Sequence, residues 1–261
     1  MSEVDSADVI EVVRRRSDVL GALVANEAEA GDLVDRLDVS QSTIDRGVRD
    51  LSRYGLVERG EGGYRLTLAG RLVFEEYRRF RRRLDDVVGN AGVLSSLSRD
   101  APFQAAVLDD ATVATADKHA PYRPAAQVAD IVDRATHVRA FTPALVPRQV
   151  ETYRQRIVED GLSAEFVLTN EVVELLVTSH GDALHEALAT GSVKLRRVDD
   201  GLPFGLVVAE TPDGPEMGMV LYADSTARAF VGNDGTDAVA WARETLGDVW
   251  ERGVPISFDI D

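Results

Sequence analysis

The chain has 261 residues, 44% of them hydrophobic, which is enough for two small folded domains and excludes an intrinsically disordered protein. It has no cysteine, so disulfides, thiolate metal sites and cysteine nucleophiles are excluded. Its formal net charge of −16 disfavours contact with a polyanion unless one region of the chain differs in charge from the rest.

Apolar residues in the first 40 positions recur at helical spacing. The stretch 7–25 predicts one helix, with Val9, Val12 and Val13 among its apolar positions. The next stretch, EAEAGDLVDRLDVS, predicts a short helix that buries Leu33 and Leu37, followed by a turn.

A third helix is predicted from Gln41 to about Tyr54. Ser40 precedes it as a good N-cap residue, and Gly55 is suited to end it. Its apolar residues Ile44, Val48 and Leu51 are spaced i, i+4, i+7, so they share one face and leave the polar residues on the others.

The segment LVERGEGGYRLT predicts a β-hairpin. It places a glycine-rich turn between an apolar pair and a second short strand over residues 64–67. Three helices followed by a two-stranded ribbon predict a winged helix-turn-helix, and the whole pattern over residues 7–71 resembles the winged-helix domains of archaeal and bacterial transcription regulators.

In such a domain the third helix enters the major groove of DNA. Gln41 would then contact adenine and Arg46 guanine, while Ser42, Thr43 and Arg49 would contact phosphates. For each arginine the simpler explanation is a side chain in solvent or an ion pair within the helix, and Asp45 with Arg49 is such an i, i+4 pair. The complete candidate set is Ser40, Gln41, Ser42, Thr43, Arg46, Arg49 and Arg53 on the helix, with Arg59 and Arg65 on the wing.

Residues 68–88 predict a further long helix with a broad apolar stripe and a basic run, RRFRRR. Regulators of the winged-helix class usually bind as dimers, so we favour a dimerisation helix over one that packs only on its own domain. Residues 89–101 indicate a linker or a short helix. The expected domains are therefore 1–67, 68–100 for the dimerisation helix and linker, and 101–261.

From Pro102 onward, apolar runs of strand length alternate with helical stretches. This pattern predicts an α/β domain with one main sheet covered by helices. No phosphate-cradling glycine loop and no nucleophile elbow is present, and His180 and His185 are spaced i, i+5, which is unsuited to one metal site. We therefore expect no catalytic residues, no metal and no cofactor.

The charged residues are unusual in kind and in distribution. Only Lys118 and Lys194 are lysines among 29 basic residues, and 27 of the 45 acidic residues are Asp. With a pI of about 4.7, this composition resembles proteins of salt-in halophilic archaea. In about 1 M salt the Debye length is roughly 3 Å, so net charge hardly repels a distant DNA. Residues 1–88 hold 15 Arg against 18 acidic residues, and residues 89–261 hold 14 basic against 27 acidic, so only the first part is suited to face DNA.

The segments DGLPFGLVV and NDGTDAVAWA, within a pattern over residues 102–255, resemble the C-terminal domain of FilR-type methanogenesis regulators of archaea. That domain is similar to phospholipase D-like domains, which also occur in the sugar-sensing TrmB family. The resemblance implies a phospholipase D-like fold used for sensing or dimerisation. Phospholipase D enzymes need His-x-Lys, and the nearest string here is His137-Val138-Arg139, so it does not imply hydrolysis.

An effector would bind where α/β sheets place ligands, at strand ends and in loops. The candidates at such expected positions are His119, Tyr122, Arg139, Thr142, Thr169, Phe204 and Asp224. Each has a simpler explanation: the aromatic rings suit a core, and Arg139 suits a surface ion pair.

The sequence thus predicts an α+β multidomain protein, with an N-terminal winged helix-turn-helix and a C-terminal α/β domain. We expect a cytoplasmic, homodimeric, sequence-specific regulator of transcription that binds double-stranded DNA and responds to a small-molecule effector, with no membrane partner. Two alternatives stay open: a phospholipase D-type phosphodiesterase or nuclease tethered to DNA, and a winged-helix module that binds protein. Neutralising Arg46 would separate DNA binding from protein binding.

Overall fold

The computed structural model describes residues 5–199, 201–223 and 226–256. It divides into two compact units, Met1–Leu84 and Asp85–Asp261. Within the described ranges no helix is long and apolar enough to span a bilayer.

The first unit contains four short helices, a β-hairpin and most of a long helix. Its elements are α1 (Ser6–Arg15), α2 (Ser17–Leu23), α3 (Ala30–Leu37), α4 (Gln41–Arg53), β1 (Val57–Gly60), β2 (Gly63–Leu66) and α5 (Leu68–Gly89).

The expectation of one helix over residues 7–25 is wrong. Arg16 leaves helical geometry between α1 and α2, with φ −117° and ψ 18°. Its guanidinium reaches α4 instead, where Nη2 lies 2.8 Å from Oδ2 of Asp50. The break turns α2 onto the core, where Leu20 is fully buried.

Helices α3 and α4 form the predicted pair joined by a tight turn. Asp38 ends α3 in the left-handed conformation, with φ 51°, and Ser40 precedes α4 at the N-cap position. On α4 the apolar residues Ile44, Val48 and Leu51 are buried, as predicted. Each such burial stabilises the fold by about 1.5–3 kcal/mol, which fixes the orientation of α4 and leaves its opposite face in solvent.

The hairpin of β1 and β2 is the predicted wing. The two strands pair antiparallel, from Val57 with Leu66 to Gly60 with Gly63. The turn end of the hairpin is tied to the segment before α3, since the Tyr64 amide donates to the Ala28 carbonyl at 2.9 Å and the Tyr64 carbonyl accepts from the Ala28 amide at 3.0 Å. Gly63 has φ 119°, and a β-carbon there would overlap the Ala28 carbonyl, so this position requires glycine.

The second unit begins within α5 and is built on one sheet. Its helices after α5 are α6 (Ala91–Leu94), α7 (Arg123–Arg134), α8 (Pro147–Asp160), α9 (Asn170–Ala189) and α10 (Thr236–Arg252). Its strands are β3 (Thr112–Thr115), β4 (His137–Thr142), β5 (Ser163–Thr169), β6 (Val193–Val198), β7 (Gly205–Thr211), β8 (Gly214–Ala223), β9 (Thr226–Asn233) and β10 (Val254–Pro255).

The sheet is mixed, with the strand order β10-β6-β5-β4-β7-β8-β9-β3. Strands β4, β5 and β6 run parallel because α8 and α9 form the crossovers between them. Strands β7, β8, β9 and β3 run antiparallel to their neighbours, and only two residues separate β7 from β8 and β8 from β9 along the chain. The predicted fold class, a winged helix-turn-helix followed by a sheet covered by helices, is confirmed.

Helices cover both faces of this sheet, so the central strand β7 is buried on both faces over residues 205–209. In β7, Leu206 and Val208 join a core with Trp241 of α10. The alternate residues Val207 and Ala209 join a second core with α7 and α8. The run PFQAAVL, which we expected among the alternating strands and helices, instead forms a single 3-10 turn at Ala105–Leu108 that packs beside α10.

Candidate functional site

The exposed face of α4 carries polar and basic side chains held by local hydrogen bonds. Arg46 donates from Nε to the carbonyl of Ser42 at 2.9 Å, and Gln41 donates from Nε2 to Oδ1 of Asp45 at 3.2 Å. Gln41, Ser42, Arg46 and Arg49 are all exposed, and Thr43 is half-buried. The structure therefore brings these predicted residues together on one surface.

The acidic residues of α4 do not neutralise its arginines. The alternative ion pair of Asp45 with Arg49 is absent among the described contacts, and Asp45 accepts from Gln41. Asp50 is bound by Arg16. Within the described part of the chain, neither Arg46 nor Arg49 makes an ion pair, so both guanidinium charges are available to an external anion.

The N-terminal end of α4 is also suited to an anion. The hydroxyl of Ser40 hydrogen-bonds to the hydroxyls of Ser42 at 3.1 Å and Thr43 at 2.9 Å, which groups three hydroxyls beside the helix end. The first turn of α4 contains no acidic residue, unlike the first turns of α1, α2 and α3. The partial positive charge of the helix end is therefore not cancelled locally.

The three remaining arginines of the set are in different environments. Arg53 and Arg59 lie over aromatic rings, of Tyr54 at 5.9 Å and of Tyr64 at 5.7 Å, and their charges stay exposed. Arg65 is held by the carboxylates of Glu27 and Glu58. Its predicted contact with DNA would require it to leave them.

Glu27 is a residue that the sequence pattern did not identify. Its carboxylate accepts from Arg65 at 3.2 Å and from the backbone amide of Gly62 at 2.9 Å, so it clamps the tip and the stem of the wing. Arg65 also donates to Glu58 at 2.8 Å, and these hydrogen bonds to Glu58 and Glu27 raise the pKa of its guanidinium. No local pattern links Glu27 to residues 35 or more positions away, so only the folded chain shows this contact.

The predicted effector residues are dispersed over the second unit. Phe204 is fully buried in the core beside Phe141 and Trp241. His119 and Tyr122 are exposed in the segment before α7, and Tyr122 is 77% exposed. Asp224 lies outside the described residues.

Thr142 and Thr169 lie at the carboxyl ends of the neighbouring strands β4 and β5, as expected. Thr169 is buried and caps α9 by accepting from the Val172 amide at 3.4 Å. Thr142 donates to the carbonyl of Ala144 at 2.8 Å and lines a cavity. The side chains around it that the sequence did not indicate are Gln149 and Tyr153 of α8 and Tyr222 of β8.

Arg139 is placed in the middle of β4, so its expected position at a strand end is wrong. It pairs with Glu165 of β5 at 2.9 Å and lies over the Trp250 ring at 5.7 Å. Glu165 also binds Lys194 of β6 at 2.9 Å. The ion-pair explanation accounts for Arg139 here.

His137, in the string that departs from His-x-Lys, lies two residues before Arg139 on the same strand. Its Nδ1 is 2.7 Å from the hydroxyl of Ser163. Among the nearby charged groups, Glu165 forms ion pairs with both Arg139 and Lys194. This arrangement orients the imidazole through a neutral partner rather than through a carboxylate.

The carboxyl group of Glu165 gives the second unit a defined acid sensitivity. Burial opposes ionisation of this carboxyl, but Lys194 and Arg139 outweigh burial and hold its pKa below the ordinary 4.5. A lowered pKa in the folded chain stabilises it above pH 4.5, and that contribution is lost as the pH falls through the folded value. We expect Glu165→Gln to lower the free energy of unfolding at pH 7 by about 1–2 kcal/mol and to flatten its dependence on pH below 4.5.

The measurement is urea unfolding at several pH values, followed by tryptophan fluorescence, because both tryptophans, Trp241 and Trp250, lie in the second unit. Glu244→Gln is the matched control, since Glu244 is an exposed carboxylate on α10. Equal pH profiles for Glu165→Gln and the unmodified chain would contradict the assignment.

Two known protein families match different parts of the chain. Residues 121–252 match the middle domain of the methanogenesis regulatory protein FilR1, and residues 4–87 match a family described as the HVO_A0261 N-terminal domain. No curated protein matches the chain.

Solved structures with related architecture share little sequence with this chain. The archaeal chromatin protein TrmBL2, described with a novel mode of DNA binding, is 13% identical, with 97% of this chain and 100% of that chain covered and a TM-score of 0.44. The phospholipase D family member Nuc from Salmonella typhimurium is 14% identical, with 57% and 100% covered and a TM-score of 0.42. NucT from Helicobacter pylori is 9% identical, with 56% and 99% covered and a TM-score of 0.40.

The sequence match to the FilR1 middle domain extends over half of the chain and contains most of the sheet, from α7 to α10. The expected resemblance to FilR-type regulators is confirmed by this match. The chain belongs to the family of the methanogenesis regulatory protein FilR1.

Proposed function

We propose that the chain is a sequence-specific, DNA-binding regulator of transcription that acts as a homodimer. The observation that carries this proposal is the exposed face of α4, where Arg46 and Arg49 have no carboxylate partner among the described residues. The opposite face of the same helix is held in the core by Ile44, Val48 and Leu51. A rigid helix that presents arginine, glutamine and hydroxyl groups is suited to the major groove.

The mechanism divides these groups between bases and phosphates. Arg46 would reach the O6 and N7 acceptors of guanine, and Gln41 would exchange two hydrogen bonds with adenine after leaving Asp45. Ser42, Thr43 and Arg49 would hold phosphates near the positive end of α4. The wing, held in place by Glu27, would bring Arg59 to the backbone beside the groove.

A selection experiment tests this function directly. The full chain, in molar potassium chloride, would be incubated with a pool of random double-stranded DNA, and the bound sequences would be amplified and sequenced. We expect one short motif to be enriched, with two half-sites related by a dyad if the protein is a dimer. Retention without enrichment would indicate non-specific binding, and no retention would leave the protein-binding module as the better explanation of the winged helix.

The second unit is proposed to be regulatory and not catalytic. His137 has a serine hydroxyl as its partner, and the arginine that stands at the lysine position of the phospholipase D string is bound to Glu165. Among the described contacts this imidazole has no carboxylate partner, so a nucleophilic role for it has no support. The membership of the FilR1 family agrees with regulation.

Helix α5 supports dimerisation. Its residues Val73, Tyr77, Phe80 and Leu84 are spaced by four, three and four positions, which is the heptad spacing of a coiled-coil seam. The first two are half-buried against their own unit, whereas Phe80 is 56% and Leu84 47% exposed. We propose that the exposed part of this seam packs on the same part of a second copy.

Introducing charge into the seam would disrupt such a dimer. We expect Phe80→Glu/Leu84→Glu to weaken self-association by about 100-fold or more, because each copy would bury two carboxylates without partners. Sedimentation equilibrium over a range of protein concentrations measures this. Leu72→Glu is the control, since Leu72 is 49% exposed on α5 but lies outside the seam. Equal association constants for both variants would reject the proposed interface.

A further inference from the structure

A largely apolar cavity lies in the second unit at the carboxyl ends of β4 and β5. It lies between the strands β4, β5 and β6 and the helices α8 and α9, is partly open to solvent, and has a volume of about 110 Å³. Its walls include Leu145, Phe166, Leu168 and Leu184. It is smaller than the apolar core cavity of about 150 Å³ that binds benzene, so a single small ring is the largest ligand that it can hold.

A second cavity of about 50 Å³ adjoins the first and has the same residues on one side. Thr142, Gln149, Tyr153 and Phe166 line both cavities, so these four side chains form the boundary between them. The rings of Tyr153 and Phe166 meet edge to face at 4.9 Å between centroids. This contact holds the Tyr153 ring against Phe166 at the boundary.

The polar groups at this boundary are neutral and have spare hydrogen-bonding capacity. Among the described residues, neither the Tyr153 hydroxyl nor the Gln149 side-chain amide has a hydrogen-bond partner. Tyr222 contributes a third group, whose hydroxyl is 3.4 Å from Oγ1 of Thr142. Burial raises the pKa of both tyrosines, so their hydroxyls stay protonated near neutral pH and can donate.

The one charged side chain on the wall does not favour a charged ligand. Arg154 lies 2.7 Å from Glu151, 2.9 Å from Glu186 and 3.7 Å from Glu159. Its charge is already matched by these carboxylates, so an anion in the cavity would gain little from it. An ionised ligand would lose its hydration without compensation.

Helix α9, which forms part of the cavity wall, contains a non-helical residue. It is interrupted at His180, where φ is −139° and ψ is 31°, between Leu176 and Ala183, which both line the cavity. The residues on either side of the break, Ser179 and Gly181, are of the kind found at helix kinks. One wall of the cavity is therefore made by two helical segments that meet at a non-helical residue.

We propose that this cavity binds a compact, uncharged and mainly apolar effector, of the size of a substituted benzene ring, with one polar group that hydrogen-bonds to Tyr153. The inference rests on the proposed function, because it supplies the effector site of a regulator. Its binding test is nevertheless independent of DNA.

The test uses phenol, toluene and benzoate as probes of the full chain in molar potassium chloride. Binding is followed by chemical-shift titration of labelled Leu, Val and Ala methyl groups. We expect phenol to shift methyl groups of Leu176, Ala183 and Leu184, and benzoate to bind at least about tenfold more weakly. Tyr153→Phe should weaken the binding of phenol by about fivefold to tenfold and leave the binding of toluene unchanged, because the substitution removes only the hydroxyl.

Two further variants control the result. Tyr122→Phe removes an exposed hydroxyl in the segment before α7 and should change nothing. Ala183→Leu fills the cavity from α9 and should abolish binding of phenol and toluene, with the fold checked by the remaining methyl spectrum. Phenol shifts outside the cavity walls, equal affinity for benzoate, or phenol affinity unaffected by Tyr153→Phe would each overturn the proposal.

The outcome is separable from that of the DNA selection. A DNA motif without phenol binding would leave a regulator whose effector does not use this cavity. Phenol binding without a DNA motif would leave the cavity assigned and the proposed DNA function rejected.

Discussion

Arg46→Ala/Arg49→Ala is expected to weaken binding to the selected DNA motif by at least about 100-fold. An arginine that contacts guanine contributes roughly 1–3 kcal/mol, and a phosphate contact adds to it. Both guanidinium groups are exposed, and neither is bound to a carboxylate among the described residues, so their removal deletes no ion pair from the fold. The measurement is fluorescence anisotropy of a labelled duplex titrated with each protein.

The salt dependence of the same titrations separates the two roles. Loss of one phosphate contact should reduce the slope of log affinity against log salt by about 1. Arg46→Ala alone should reduce the preference for one base at a single position of the motif. Arg49→Ala alone should lower the affinity for all DNA sequences by a similar factor. Arg14→Ala is the control, since Arg14 lies on α1 in an ion pair with Glu11 at 3.0 Å. If it weakens binding as much as the double variant, α4 is not the recognition helix.

Gly70→Ala is expected to destabilise the first unit by about 2–4 kcal/mol. Gly70 is buried at the start of α5, where its amide donates to Oγ1 of Thr67 at 2.9 Å. A β-carbon at this position would overlap the backbone carbonyl oxygen of Leu56, which cannot move without disturbing its bond to the Thr67 amide. Overpacking against a backbone group costs more than against a flexible side chain.

Hydrogen exchange of the α4 amides measures this loss, because their slowest exchange reports unfolding of the unit that contains them. Tryptophan fluorescence reports the second unit separately, since both tryptophans lie there. Gly31→Ala is the matched control: Gly31 is exposed in α3 with open space around it, so alanine should stabilise that helix by up to about 1 kcal/mol. Unchanged α4 exchange in Gly70→Ala would show that α5 shifts to accept the methyl group.

Elements defined by local patterns were predicted well. The helix at 41–53 has an N-cap residue, an apolar face at i, i+4, i+7 and a terminating glycine, and each of these acts within a few residues. The hairpin follows from its glycine turn for the same reason. The helix that begins at Leu68 was also located from its apolar spacing.

Predictions failed where a partner distant in sequence decided the conformation. The first helix breaks at Arg16, whose side chain binds Asp50, 34 positions away. The alternative pair of Asp45 with Arg49 is absent for a local reason, since Asp45 accepts from Gln41 in the same helix. The mixture of parallel and antiparallel strands could not be predicted from apolar runs, since strands buried on both faces have the same composition in either direction.

The sequence by itself determined the class of the protein: a winged helix-turn-helix with exposed arginines, joined to an acidic α/β domain without catalytic motifs. These features depend on composition and on periods of two to four residues, which a single chain displays directly. Only the tertiary structure decided which charges are available and where a ligand fits. It showed Arg65 bound to Glu27, Arg139 bound to Glu165, and a cavity beside Tyr153, because such contacts depend on the packing of elements that are distant along the chain.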